Sequence, residues 1–247
     1  MPLLTLDRHG SGPPLAWLHG FTQTRDSARH FRTILAGRHE LLTLDLPGHG
    51  TAATLEGSLP EIARLVLDVL PREPLVLGGY SFGARVALHV ALAQPLRLTA
   101  LVVLGASRGI EDTEQRADRR RRDESLANHL VDVGAEVFLS EWLAQPLFAT
   151  LGPRSESDTR SHDAAGLARS LRGAGTGTQQ WLGERLADLE VPTLALAGEL
   201  DSKFVAEARA IADTLPFGSF ATITGAGHAA HLEQPELVAR EIEDFLA

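Results

Sequence analysis

Three residues far apart in this chain have the types and settings for covalent or acid–base chemistry: a serine, an aspartate and a histidine. Ser81 stands in Gly79-Tyr80-Ser81-Phe82-Gly83, between an apolar run over 75–79 and a helix-forming run over 84–93. A serine with glycines two before and two after it, at a strand-to-helix turn, is the pattern of a nucleophile elbow. Such a turn is strained and holds the hydroxyl clear of the sheet, while the glycines let strand and helix pass without a Cβ clash. The helix start aims backbone N–H groups, first that of Phe82, at any oxyanion forming near Ser81. A hydroxyl needs an adjacent base to react near neutral pH, and that base needs a carboxylate to orient it. Asp201 lies in Gly198-Glu199-Leu200-Asp201 and His228 in Gly225-Ala226-Gly227-His228, each just past a strand-like run. His231 is the competing base, and Glu199 and Asp45 are the competing acids. The glycines before His228 suit a tight loop at a strand end, which favours it over His231. The histidines fall into no HExxH or comparable ligand spacing, so no metal and no other cofactor is expected.

These residues need elements to bring them together. Apolar runs over 3–7, 15–18, 40–45, 75–79, 98–105, 191–198 and 220–223 have strand texture. Helical periodicity falls between them over 26–35, 59–69, 84–93, 203–215 and 235–246. Strands alternating with helices imply a mostly parallel, doubly wound sheet with its ligand site along the C-terminal strand edge. The chain order serine, acid, histidine is that of the α/β-hydrolase fold. In that fold a His-Gly after an early strand opens the loop that gives the second oxyanion-hole amide. Here it is His19-Gly20-Phe21, so the donors are assigned to Phe21 and Phe82, with a structural role for His19.

After Ala106 the texture changes. No Val/Ile-rich strand appears until Val191, and helices are expected over 111–133, 135–142 and 164–172. Residues 107–187 therefore read as a helical cap inserted into a core formed by 1–106 and 188–247. Four consecutive arginines, Arg119 to Arg122, cannot share one helical face at about 100° per residue. Arg119 and Arg122 can, as can Arg116 and Arg120; most of these are solvated, and one or two facing the cleft would clamp a carboxylate.

The 247 residues suffice for one full core, and 44% hydrophobic with 22% charged residues marks a globular chain. A net charge of −9 argues against a nucleic-acid partner. The absence of cysteine excludes disulfides and thiolate chemistry. Neither a signal peptide nor a run of membrane-spanning length is visible, so a cytoplasmic enzyme is expected, with no membrane partner, as a monomer or small homo-oligomer.

With these residues in place, the chain resembles the 2-succinyl-6-hydroxy-2,4-cyclohexadiene-1-carboxylate synthases of menaquinone biosynthesis. The resemblance rests on Gly79-Tyr80-Ser81-x-Gly83-x-Arg85, His19-Gly20-Phe21, Leu46-Pro47-Gly48-His49-Gly50 and Gly198-Glu199-Leu200-Asp201-Ser202-Lys203-Phe204. Trp142-Leu143-Ala144-Gln145-Pro146-Leu147-Phe148 and the stretch 171–179 extend it through the cap. The elbow and triad are general to α/β-hydrolases, whereas Arg85 and the cap motifs are more specific. Ala84 departs from the pattern, which usually has a second glycine there. The resemblance implies a lyase in which the serine acts as a base and pyruvate leaves a polycarboxylate without water. It further implies that Tyr80 and Trp142 line the pocket and that Arg85, Arg119 and Arg160 bind the anionic small-molecule substrate. The same triad would serve a small-molecule esterase or C–C bond hydrolase, which would want an apolar pocket.

Overall fold

Alternation along the apolar runs sorts side chains onto two faces of a sheet. In a computed structural model describing residues 4–152 and 159–247, seven strands form one sheet in the order β1-β3-β2-β4-β5-β6-β7. They are β1 (Leu6–His9), β2 (Pro14–Leu18), β3 (Glu40–Leu44), β4 (Leu75–Tyr80), β5 (Leu98–Leu104), β6 (Thr193–Gly198) and β7 (Gly218–Ile223). Only β1 runs antiparallel to its neighbour, pairing Leu6 with Leu44; all other pairs are parallel. Ala16, Leu18, Leu75 and Leu77 join the apolar layer on one face, and Leu15, Trp17, Val76 and Tyr80 join that on the other. Each such Leu or Val, fully buried, contributes roughly 1.5–3 kcal/mol of transfer free energy.

Helices cover both faces. The first layer receives α2 (Leu59–Val69), α3 (Phe82–Ala93) and α7 (Ser202–Thr214). The second receives α1 (Arg29–Ala36), the short α8 (Ala230–Glu233) and α9 (Pro235–Leu246). Between β5 and β6 lie α4 (Thr113–Leu143), α5 (Ala164–Ala174) and α6 (Gly183–Leu186), with no sheet strand among the described residues. The side chains of Asp112 and Asp163 cap α4 and α5, accepting from the amides of Gln115 and Gly166. Helices α4 and α5 share a separate apolar cluster that includes Leu130, Phe138, Leu167 and Leu171. Gly134, at φ 80°, interrupts α4 where the periodicity predicts a break between two helices.

Some bounds differ from expectation. Leu3, expected in the first strand, lies outside the described residues, and that strand starts at Leu6. Helix α1 begins at Arg29 rather than 26, because Thr24 and Ser27 close a turn of their own and Ala28 is left-handed at φ 56°. Helix α8, in the loop after β7, has no counterpart in the sequence reading.

Candidate active site

The elbow is built as its glycines require. Ser81 follows β4 directly and precedes α3, with φ 50° and ψ −104°, a conformation costly for a residue with a Cβ. A Cβ on Gly79 would stand 2.6 Å from the Gly83 carbonyl carbon, and one on Gly83 would collide with the Leu18 carbonyl. Strand and helix therefore cross too closely for any side chain at either position. The Ser81 amide donates to Leu104 O at 2.8 Å, which locks the turn to β5.

Asp201 follows β6 and His228 follows β7, and the sheet brings both to Ser81. His228 Nδ1 lies 2.8 Å from Asp201 Oδ2, and its Nε2 lies 3.2 Å from Ser81 Oγ. A carboxylate at Nδ1 fixes the proton there, so Nδ1–H donates to Asp201 and Nε2 is free to accept from the Ser81 hydroxyl. Side-chain exposures of 2% for His228 and 8% for Asp201 keep water from competing for that bond. This hydrogen-bond chain can raise the basicity of the serine oxygen and move a proton between Ser81 and His228.

The competitors are occupied elsewhere. His231 is 1% exposed, packs 4.2 Å from the Tyr80 ring and lies 3.2 Å from the Gln23 side-chain nitrogen, with no carboxylate bonded to it among the described residues. Burial, then the charges of Arg160 and His228, pushes its pKa down to about 3. Asp45 accepts from the amides of Arg25 and Thr51 and from the Thr51 hydroxyl. Glu199 accepts from the Gly225 amide at the surface.

Phe21 and Phe82, the expected oxyanion donors, both border the space over Ser81. The Gly20, Thr22 and Gln23 amides are bonded to Gln23 Oε1, His49 Nε2 and Gly20 O, whereas those of Phe21 and Phe82 have no partner among the described residues. Two histidines hold this loop. His19 donates through Nδ1 to Gly20 O and accepts the Leu46 amide at Nε2; His49 donates to Pro47 O and accepts the Thr22 amide. Burial lowers both pKa values, that of His49 to about 3 with His19 adding to the effect, so both stay neutral acceptors. The structural role expected for His19 thus extends to His49, whose signal in the sequence was Leu46-Pro47-Gly48-His49-Gly50.

A cavity of about 160 Å³ opens over Ser81 and His228, walled by Tyr80, Arg85, Arg119 and Trp142 among others. Tyr80 is 4% exposed, and burial raises the pKa of its phenol. Trp142 stacks on Phe138 and meets Phe21 edge-on at 5.3 Å. Arg85, one turn past Ser81 on α3, is only 9% exposed and donates through Nη1 to Ala174 O and Gln179 Oε1. Burial, then the nearby Arg119, draws its pKa down to about 10. Arg119 is tethered by Nε to Asp123 at 2.7 Å, and the same buried carboxylate accepts the Gly177 amide. Arg160 lies elsewhere: its Nη1 donates to Thr22 Oγ1 at 2.7 Å, and it does not line this cavity. It pairs with Gln23 through an isolated bridge, so its position comes from the loop after β2. Lys203 and Gln179 stand in the stretches that carry the resemblance but, like Asp123, have no role assigned from the sequence, because they are ordinary polar residues until the chain is folded.

A family model described as "Alpha/beta hydrolase family" matches residues 9–241. The chain belongs to the α/β-hydrolase family. Within it, the 2-succinyl-6-hydroxy-2,4-cyclohexadiene-1-carboxylate synthase of Photorhabdus laumondii is 32% identical over 95% of this chain and 86% of its own length. The synthase of Yersinia pseudotuberculosis (serotype O:1b) is 31% identical over 96% and 88%. Among solved structures, MenH from S. aureus matches all of this chain and 98% of its own, with a TM-score of 0.89 and 30% identity. A thermophilic esterase from Thermogutta terrifontis, solved with malate bound, matches 98% of this hydrolase-fold chain and 92% of its own, at 0.81 and 26%.

Proposed function

We propose that this chain is a 2-succinyl-6-hydroxy-2,4-cyclohexadiene-1-carboxylate synthase, a lyase that eliminates pyruvate from a cyclohexene polycarboxylate in menaquinone biosynthesis. The observation that carries this reading is a buried arginine, Arg85, in the wall of the same cavity as the Ser81–His228–Asp201 chain. An esterase acting on neutral acyl groups has no use for a cation that costs so much to desolvate. The relatives at 31–32% identity that have this activity add weight.

In this reading Ser81 is the base, His228 takes the Ser81 proton at Nε2, and Asp201 holds the imidazole in the productive tautomer. A C–H proton of the ring passes to Ser81 Oγ, and its electron pair forms the new double bond. The C–O bond to the leaving group breaks, and the proton held at His228 is returned to the departing enolate, which becomes pyruvate. The Phe21 and Phe82 amides hold the carbonyl oxygen that takes up charge. Arg85 and Arg119 clamp carboxylates, Tyr80 and Trp142 shape the ring site, and Arg160 acts on the Thr22 end of the loop. Residues 107–187 form a cap over the core of 1–106 and 188–247. The enzyme is cytoplasmic, a monomer or small homo-oligomer, and works on a small anionic substrate without nucleic acid or membrane. For the membrane part, no helix among the described residues is long and apolar enough to span a bilayer.

A second reading, a serine hydrolase in which Ser81 attacks an acyl carbon, draws on the likeness to the Thermogutta esterase. The two part on one assay. Purified enzyme given the enolpyruvyl-bearing cyclohexene polycarboxylate should yield pyruvate and the conjugated diene in equal amounts, and Ser81→Ala should abolish both. Rapid p-nitrophenyl ester hydrolysis with no diene formed would replace the lyase by the hydrolase.

A further inference from the structure

The cavity over Ser81 is small for a substrate with several carboxylates. Ligand pockets that enclose such molecules hold roughly 300–1,000 Å³, against about 160 Å³ here. Four of its wall residues, Ser107, Arg119, Thr176 and Lys203, also wall an adjoining outer groove of about 600 Å³. They form a doorway through which one arm of a long substrate would extend. Two of the four are cations, on different elements: Arg119 on α4 and Lys203 on α7.

Among the described residues, the nearby acids are engaged elsewhere or exposed. Glu207, one turn along α7 and the natural partner at i+4, is engaged by Arg108, whose Nε lies at 3.6 Å and whose amide lies at 3.3 Å. Asp112 caps α4. Asp123 is taken by Arg119 and Gly177. Glu111, the remaining acid of the groove, is solvent-exposed. Lys203 instead lies over the Phe204 ring at 5.2 Å, and among the described residues it has no carboxylate partner. Phe204 in turn packs 4.4 Å from the His228 ring, so the ammonium stands one aromatic ring away from the catalytic imidazole.

We propose that Lys203 is a specificity residue that receives a second substrate carboxylate at the doorway while Arg85 holds the inner one. The inference rests on the polycarboxylate reading given above and adds a subsite to it. A flexible, strongly hydrated ammonium suits such a mouth position, where the anion stays partly wet and its exact placement does not enter the chemistry. The planar fork of Arg85 suits the buried position beside Ser81.

The test uses Lys203→Met, which keeps the apolar stem over Phe204 and removes the charge, and Lys203→Arg, which restores the charge. KM for the enolpyruvyl polycarboxylate is measured together with the Kd of tricarballylate, a flexible tricarboxylate that needs no turnover, by calorimetry. Melting temperatures check that both variants fold. Lys203→Met should raise KM and Kd roughly tenfold, about the value of one partly exposed charge-assisted contact, and Lys203→Arg should recover most of it. Added salt should weaken binding to the wild type more than to Lys203→Met. Unchanged KM and Kd in Lys203→Met would overturn the subsite. Tricarballylate binding that depends on Lys203 without turnover of the polycarboxylate would retain the subsite and refute the lyase. Neither binding nor turnover in the wild type would refute both.

Discussion

Replacing Arg85 by alanine separates anion recognition from the integrity of the elbow. Among the described residues the guanidinium is held by hydrogen bonds from Nη1 to Ala174 O and Gln179 Oε1, which leaves Nε and Nη2 for a ligand in the cavity wall. A charge pair at 9% exposure is worth about 2–3 kcal/mol toward the low end of measured truncation costs. At 1.4 kcal/mol per tenfold, kcat/KM for the polycarboxylate should fall roughly 30- to 150-fold. Hydrolysis of a neutral p-nitrophenyl ester, which has no carboxylate to lose, should fall by less than about threefold. The deletion also leaves the Ala174 carbonyl and Gln179 amide oxygen without their donor. A stability loss of about 1–3 kcal/mol is expected and is read separately from a denaturant midpoint. Arg85→Lys should recover part of kcat/KM, since it keeps the charge and loses the fork. The decisive comparison is between the two substrates at a temperature where both proteins are folded. Equal losses on both would show that the substitution damaged the Ser81 turn, and no loss on either would remove Arg85 from substrate binding.

Ser81→Gly should abolish activity while leaving the fold as stable or up to about 1 kcal/mol more stable, because φ 50° is strained for serine and free for glycine; a lowered melting temperature would contradict the strain argument. His228→Ala should cut turnover by several orders of magnitude and Asp201→Asn somewhat less, whereas His231→Ala should cost under about tenfold in kcat, since His231 has no carboxylate partner among the described residues; the reverse ranking would make His231 the base. Stability should fall on acidification, because His49 and His231 have folded pKa values near 3, below the 6.5 of the unfolded chain. The unfolded state then binds more protons between those values, so each residue withdraws roughly 1.4 kcal/mol per pH unit as pH drops below about 6.5. Urea midpoints measured from pH 7.5 to 5 should show this decline, with a shallower slope in His231→Asn, and a flat profile would refute the neutral burial of these rings.

The fold was largely legible in the chain because its signals are local. The continuous apolar run Leu15 to Leu18, the glycines around Ser81 and the break at Gly134 each reflect backbone geometry within a few residues. The candidate triad was legible for a related reason: a parallel sheet puts the C-terminal strand ends on one edge, so residues following β4, β6 and β7 meet without further information. The antiparallel pairing of β1 with β3 was not visible, since an exposed edge strand of four residues carries little pattern. Nor could periodicity decide which arginines face the cavity. The run Arg119 to Arg122 samples every side of α4, and its packing on α5 selects Arg119, with Asp123 one turn on to tether it. Arg160 illustrates the same limit: its side chain is set against Thr22, 138 residues away, and away from the cavity. Lys203, Gln179 and Asp123 acquire their settings only from partners on other elements. Local sequence determines backbone conformation through short-range sterics and solvation, whereas a charged side chain's surroundings depend on contacts between segments that only the assembled core brings within reach.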